Sequence, residues 1–539
     1  MAKPRKAPPA STTPATAPAA AAPDTSSSGT SSWLKPVQPA LDTIAALPAF
    51  VRTLLCVILV AILGYFNFVA GEDQPPYPFW DENYHMTSAQ RYIDGVAHFE
   101  PHPPLGLMLI AVGEKLSGAN ANIDKQQLLV DKYINGDKVP AGFSYFGMRL
   151  MPSLFAAAAS LLFFGLMLTL TGNRLLALLF STLYLFENAY IVHFRAVHLD
   201  SIQMFFCIAA LWQFVRLWKR EAPLRWTDYA GLGALCGLAI MVKINAALLL
   251  IMFPVLYFKD AFTQDTPFSE RPLDFLTKTG STILAILVVF GVVFSLHTAI
   301  GTKMPDPASS AGKQDLENMS PTYKEYVTQG GAVTPGLVAS IGRDYFKFMD
   351  KDHLGVPKLD VCKPGENGSH PLHWLVHDKT INYRWDSADG FTRYVQLAGN
   401  QFSWFLGLAA VIYSLMLIMN HRLNKLPVSD QKTYTLIELF TGLYGVFMVL
   451  HLYLGTQRVM YLYHYFIGLL ITYILVVLCW QYLCNLHKAT TRIRVGSAIV
   501  LALCIIGTNL FFLPLTNHQP LTKSQCERRN VFSHIVDCQ

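Results

Sequence analysis

Leu54–Val69 reads LLCVILVAILGYFNFV, an uncharged run, and Ala498–Leu513 reads AIVLALCIIGTNLFFL, a second one near the other end of the chain. Runs of this kind approach the ~20 apolar residues that carry a helix across about 30 Å of hydrocarbon. The whole chain of 539 residues is 52% hydrophobic and 14% charged, with a mean hydropathy of +0.32. Soluble domains carry about 25% charged residues. Because the apolar residues lie in long runs and not in short periodic segments, the sequence predicts an all-α, polytopic membrane protein and excludes an ordinary globular enzyme.

About eleven spans are expected, beginning near residues 50, 145, 175, 197, 228, 244, 279, 401, 434, 459 and 495. Their direction follows from the short loops, since Lys and Arg stay on the cytoplasmic side during insertion. Arg216, Lys219, Arg220 and Arg225 share one loop, Arg422, Lys425 and Lys432 a second, and Lys488, Arg492 and Arg494 a third. With a cytoplasmic N-terminus and eleven spans, all three clusters fall on one side. Residues 1–48, rich in Ala, Pro, Ser and Thr, are expected to form a disordered cytoplasmic tail and not a signal peptide. The membrane domain is expected over 49–516, with external loops at 71–144 and 302–400 and an external tail at 517–539. The net charge of +6 is scattered over short loops, which argues against a nucleic-acid partner. Most of the nine cysteines sit in apolar runs and no CxxC occurs, while Cys526 and Cys538 in the tail either pair, stay free or hold a metal.

Ionisable residues at span ends are costly in lipid, so they are usually functional or mutually paired. Glu187, Asn188, His193, Arg195, His198 and Asp200 surround the turn between the third and fourth spans. Lys243 lies between the fifth and sixth, Arg149 opens the second, and Arg458 and His464 open the tenth. All project to one end of the bundle, where a ring of cations suits the phosphate of a lipid whose tail stays in the bilayer. Trp80-Asp81-Glu82-Asn83-Tyr84-His85 follows the first span and brings two carboxylates to that level. A base acting on a hydroxyl needs such a carboxylate close to the leaving phosphate. His102-Pro103-Pro104-Leu105-Gly106 leads into an apolar stretch, Leu107 to Leu116, too short to span and expected to be an interfacial helix. Each feature alone has a plainer reading as a solvated acidic pair, a snorkelling anchor or a structural histidine. Their order and spacing together carry more.

Asp81-Glu82, then Tyr92-Ile93-Asp94-Gly95, then His102-Pro103-Pro104-Leu105-Gly106, resembles the first external loop of the protein O-mannosyltransferase family. The likeness continues through Gly147-Met148-Arg149-Leu150-Met151-Pro152, Glu187-Asn188, Arg195 to Ser201, Gly237 to Lys243, Ser369 to Trp374, Gly399-Asn400, Arg458 and Tyr461 to Tyr465, in the family's order. The resemblance implies a GT-C glycosyltransferase fold with interfacial helices in the first external loop. It further implies inverting transfer of mannose from polyprenyl- or dolichyl-phosphate mannose to Ser/Thr hydroxyls of proteins, those in translocation included, at the extracytoplasmic face. By position it makes Asp81 the general base and gives Glu82 a part in binding and orienting the acceptor. Arg149, with Lys243 or Arg458, would hold the donor phosphate. His102, Arg195, Asp200, Tyr461 and His464 are further site candidates without assigned roles.

No metal or other cofactor is expected, because a phosphate leaving group needs charge neutralisation that Arg and Lys can supply. Only the Asp-Glu pair is an evident hard-cation candidate, and Mg²⁺ usually wants more oxygen ligands. Eukaryotic members of the family carry a β-trefoil MIR domain in the long external loop, for which residues 302–400 are too few. The chain therefore resembles the shorter bacterial type, in an inner membrane with its site facing outward. In an endoplasmic-reticulum membrane, Asn318-Met319-Ser320 and Asn367-Gly368-Ser369 would be glycosylation acceptors. Two rivals remain: a GT-C transferase with a lipid or polysaccharide acceptor, such as a lipid A aminoarabinose transferase, and a lipid or sugar transporter. The transporter would show charges near the midplane and paired halves.

Overall fold

The structure is a computed structural model describing residues 46–263, 267, 269–531 and 535–538, so the expected N-terminal tail lies almost wholly outside the described residues. The chain divides into two units, Met1–Arg52 and Thr53–Gln539. Of the first, the described residues begin helix α1 (Ala49–Gly64), which runs on as a π turn to Val69. The first long loop carries α2 (Glu82–Asp94) and α3 (Leu105–Ser117). Then come α4 (Phe146–Thr171), α5 (Arg174–Phe180), α6 (Asn188–Phe194), α7 (Asp200–Lys219) and α8 (Trp226–Ile240). A 3-10 stretch, Ile244–Ile251, leads into α9 (Met252–Thr263), and α10 (Arg271–Ile300) follows. The second long loop holds α11 (Ser310–Asn318), α12 (Pro321–Gln329), α13 (Pro335–Gly355) and a hairpin of β1 (Ile381–Ala388) and β2 (Phe391–Leu397). Helices α14 (Gln401–Asn424), α15 (Gln431–Gln457), α16 (Phe466–Leu486) and α17 (Thr491–Thr516) complete the bundle.

Among the described residues nine helices are long and apolar enough to cross a membrane, or ten if Arg174–Leu185 and Asn188–Phe194, bent by 61°, make one span. The expected eleven are not reached by this measure. The shortfall is α8, whose 15 residues extend about 22 Å at 1.5 Å per residue, less than ~30 Å of hydrocarbon. Its ends nevertheless meet those of α7: Arg220 pairs with Asp228 at 2.7 Å at one end, and Lys243 with Asp200 at 2.9 Å at the other. The chain thus returns along α7.

Helix α16 is the axis of the bundle, since 83% of its span is buried, and it is apolar on every side as a central helix must be. Gly407 lets α14 press against it: a Cβ there would stand 2.6 Å from Thr472 Oγ1. Close approach of this kind is what holds helices together where lipid removes the hydrophobic drive. Gly113 does the same for the predicted interfacial helix α3, seating it on α4 with no room for a Cβ beside the Gly147 carbonyl, 2.8 Å away.

The all-α expectation holds for the bundle and misses a three-stranded antiparallel sheet in the order β1-β2-β3. Ala388 pairs with Phe391 across Asp389-Gly390, whose φ angles of 53° and 76° give the two-residue turn that suits a twisted hairpin. Strand β3 (Pro520–Leu521) joins the edge from the C-terminal tail, where Cys526 and Cys538 form a disulfide; Cys362 is free and exposed. Residues 302–400 are thus a cap of helices and a hairpin.

Candidate functional site

At Trp80 the backbone turns through φ 53°, a conformation bulky residues rarely adopt, and α2 begins at once with Asp81 in the N-cap position. The Asp81 side chain makes no capping bond. Among the described residues its carboxylate receives a contact from the Tyr463 hydroxyl at 3.5 Å, longer than an ordinary O–H···O bond. Burial pushes its pKa up to about 6, with Lys243 and the Tyr463 hydroxyl pulling down and the charge of Asp200 pushing up. Among the described residues Asp81 is a carboxylate within the field of Lys243 and met only by the long Tyr463 contact, the condition for a base near neutral pH.

Glu82 is the opposite case. It is wholly buried, and its Oε1 accepts from Arg149 Nε at 2.7 Å and the Val197 amide at 2.8 Å. Oε2 accepts from an Arg149 terminal nitrogen at 2.8 Å and the Phe79 amide at 3.0 Å. Arg149 is equally buried, and its other donors go to the carbonyls of Glu72, Pro75 and Tyr77. All five guanidinium N–H groups are therefore spent. The structure corrects two expectations here: Arg149 has no donor left for a phosphate, and Glu82 has no oxygen left for an acceptor. The pair is a brace that ties the chain before α2 to the start of α4 and fixes where Asp81 points. It also leaves the two carboxylates without a shared face for a cation, and among the described residues no group of three or more His, Cys, Asp or Glu side chains could hold a metal.

Lys243, whose charge acts on Asp81, is buried, its Nζ 2.9 Å from Asp200 Oδ1 and 5.4 Å from the centre of the Tyr463 ring. Asp200 Oδ2 meets His193 Nε2 at 3.0 Å, and His193 Nδ1 meets the Tyr383 hydroxyl at 2.7 Å. This chain of contacts orients the lysine without consuming all three of its N–H groups. Arg458, at the end of α15, has a buried Nε with no partner among the described residues, and both it and Lys243 act electrostatically on His464. Tyr461 and His464 stack on Tyr463, and Tyr461 meets Trp80 edge-on at 5.4 Å. His102 lies 6.3 Å from the His85 ring; burial, with Lys243 and His85 nearby, holds its imidazole well below its ordinary pKa and so neutral.

Arg195 is not part of this cluster. It donates to the carbonyls of Ala70 and Gly71 at 2.8 and 2.6 Å and lines a separate cavity of about 180 Å³ with Asn517 and His518. This is a third correction: the turn after α6 aims it at the end of the first span. Sequence reasoning names Tyr463 only within the Tyr461 to Tyr465 match and Tyr383 only as an aromatic of the second long loop, and gives neither a part in the site. Tyr383 comes from the hairpin, which was not foreseen, and packs on Trp80 and Phe79 at 5.1 and 5.8 Å. The Asp389-Gly390 pair between alternating strands was the available signal.

The sequence model "Dolichyl-phosphate-mannose-protein mannosyltransferase" matches residues 58–298, and that of the "C-terminal four TMM region of protein-O-mannosyltransferase" matches 358–535. The chain is 28% identical over 195 residues to dolichyl-phosphate-mannose–protein mannosyltransferase 3 of Saccharomyces cerevisiae, covering 35% of this chain and 25% of that protein. With protein O-mannosyl-transferase 2 of Danio rerio it shares 25% identity over 269 residues, 48% of this chain and 34% of that one. The aligned stretches thus span a quarter to a third of these relatives. The S. cerevisiae Pmt1-Pmt2 complex bound to its sugar donor superposes with a TM-score of 0.72 at 14% identity, over 91% of this chain and 94% of the matched one, which is a likeness of fold. On these matches and the bundle that bears them, the chain belongs to the protein O-mannosyltransferase family, as a multi-pass membrane protein of the GT-C glycosyltransferase fold.

Proposed function

We propose that the protein transfers mannose from a polyprenyl-phosphate mannose to a Ser or Thr hydroxyl of a protein, with inversion at the anomeric carbon. Asp81 accepts the hydroxyl proton as the oxygen forms its bond to C1. The bond from C1 to the phosphate oxygen breaks on the opposite face, and the phosphate leaves with the electron pair. Lys243 and the unpaired Nε of Arg458 take up the charge that develops on it, which is where preorganised cations lower a barrier most. Asp200, His193 and Tyr383 hold Lys243 in place, and Glu82 with Arg149 holds Asp81. Tyr461 and His464, stacked on Tyr463, and His102, within the field of Lys243, flank the reacting groups in this reading. No metal has a part in this reading, and the family membership supports the donor and acceptor classes.

The observation that carries the proposal is the contrast between adjacent carboxylates, one fully bonded and one met, among the described residues, only by a long Tyr463 contact and lying within the field of Lys243. The basic loop clusters favour placing this site on the extracytoplasmic face, and the compact second loop favours a bacterial cell membrane. The test is incubation of the purified protein with radiolabelled polyprenyl-phosphate mannose, a Ser/Thr-rich peptide and EDTA. Label in the peptide, absent with Asp81→Asn, is the expected result. Label on lipid or glycan and none on peptide would move the acceptor to those classes.

A further inference from the structure

One span away from Asp81, at the far end of α7, lies a cavity of about 780 Å³ that the chemistry above does not use. Its walls are the last turn of α7, Lys259 of α9 and the first turns of α15. Lys219, Arg220, Lys259 and Lys432 line it, against the carboxylates of Glu221 and Asp430. Asp430 is occupied in capping α15 through Thr433, with Oδ2 2.7 Å from its hydroxyl, and Arg220 is paired with Asp228. Glu221 and Lys432 are 3.6 Å apart with side chains 91% and 93% exposed, too open to hold each other firmly. Lys219 donates to the carbonyls of Thr169 and Leu170, and Lys259 to that of Arg220. Carbonyl partners orient an ammonium group without cancelling its charge; of the carboxylates that act on Lys259, Asp260 is paired with Lys278 at 2.8 Å and Glu221 is exposed.

Deeper along the same three helices is an apolar cavity of about 240 Å³, lined by Phe214, Met252, Val255, Leu439, Leu443 and Val446. Phe214 lies one helical turn from Trp218, and Val255 one turn from Lys259, so both cavities belong to one seam. Glu438, at its edge, is bonded to Arg422.

We infer that this seam is a binding site for an anionic glycerophospholipid, its phosphate among Lys219, Lys259 and Lys432 and one acyl chain along the apolar cavity. An acyl chain gains little by exchanging bilayer for an apolar seam, so the selectivity resides in the headgroup. With Arg220 set against Asp228, Lys219, Lys259 and Lys432 face Glu221 and Asp430, and this excess of positive charge favours a lipid with net negative charge, whereas a zwitterionic headgroup brings its own cation into the cluster.

The intact protein, in nanodiscs holding equal phosphatidylcholine and phosphatidylglycerol of matched chains, is released and weighed by native mass spectrometry. Phosphatidylglycerol is expected to remain bound in preference by about tenfold or more, given roughly 1 kcal/mol per basic residue near a charged surface. Lys219→Ala with Lys259→Ala removes the preference, the two Arg replacements keep it, and Val446→Trp reduces retention of both lipids by filling the seam. The lysine variants are scored by the ratio of the two lipids, and Val446→Trp by the ratio of lipid-bound to lipid-free protein, each within one sample, so altered stability does not mask the outcome. Equal retention of the two lipids by the unaltered protein overturns the proposal. So does an unchanged preference in the double Ala variant, or displacement of the lipid by millimolar inorganic phosphate, which would make the ligand a free anion.

Discussion

Asp81 and Glu82 are neighbours in the chain with opposite surroundings, and the difference predicts separable effects of mutation. Asp81→Asn removes the base and is expected to lower transfer by at least ~10². It should not lower stability. A carboxyl whose pKa rises from 3.8 to about 6 on folding stabilises the fold while protonated, and that contribution is lost as pH rises through about 6. At pH 7.5 the Asn variant avoids the burial cost of the ion and should unfold at the same temperature or higher in a thermal melt. Arg149→Ala behaves the other way, leaving Glu82 buried and unpaired at a cost of about 3–5 kcal/mol. Its melting temperature should fall, and a stable protein with weakened donor affinity would instead return Arg149 to the phosphate. Asp81, Lys243 and Arg458 were legible in the sequence because they recur in a motif order. The Glu82–Arg149 pairing was not, since it joins positions 67 residues apart and spacing along a chain does not reveal which long-range cation a carboxylate meets.

The long helices announce themselves by uninterrupted apolarity, and their predicted starts fall within a few residues of the observed ones except where a helix begins before its apolar core, as α10 does at Arg271. The hairpin was hidden because its strands are short and half polar, a pattern that blends into a loop. It is also the element that delivers Tyr383 to His193. Gly390 sits at φ 76° in the turn, where a β-branched residue is strained by about 1–3 kcal/mol. Gly390→Val should raise amide hydrogen exchange across 381–397 and reduce transfer while leaving exchange in α16 unchanged. Protection of the hairpin at its original level would detach it from the site.

At the level of the molecule, the loop charges and the path of α8 beside α7 favour one arrangement, with Asp81 and the second long loop on the outer side and Lys425 on the inner. Cys362 is exposed in that loop, so an impermeant maleimide applied to intact cells should label it, while Lys425→Cys combined with Cys362→Ser should react only after permeabilisation. The reverse pattern would invert the protein in its membrane. On the outer side Asp81, half-buried, serves as the proposed base for the transfer. The pH dependence of single-turnover transfer at saturating donor tests it most directly. The rate should rise about tenfold per pH unit up to a bend near 6 and then level off, because the base acts in its ionised form. A rate that is flat from pH 5 to 7, or the same bend in the residual activity of Asp81→Asn, would place the base on another residue.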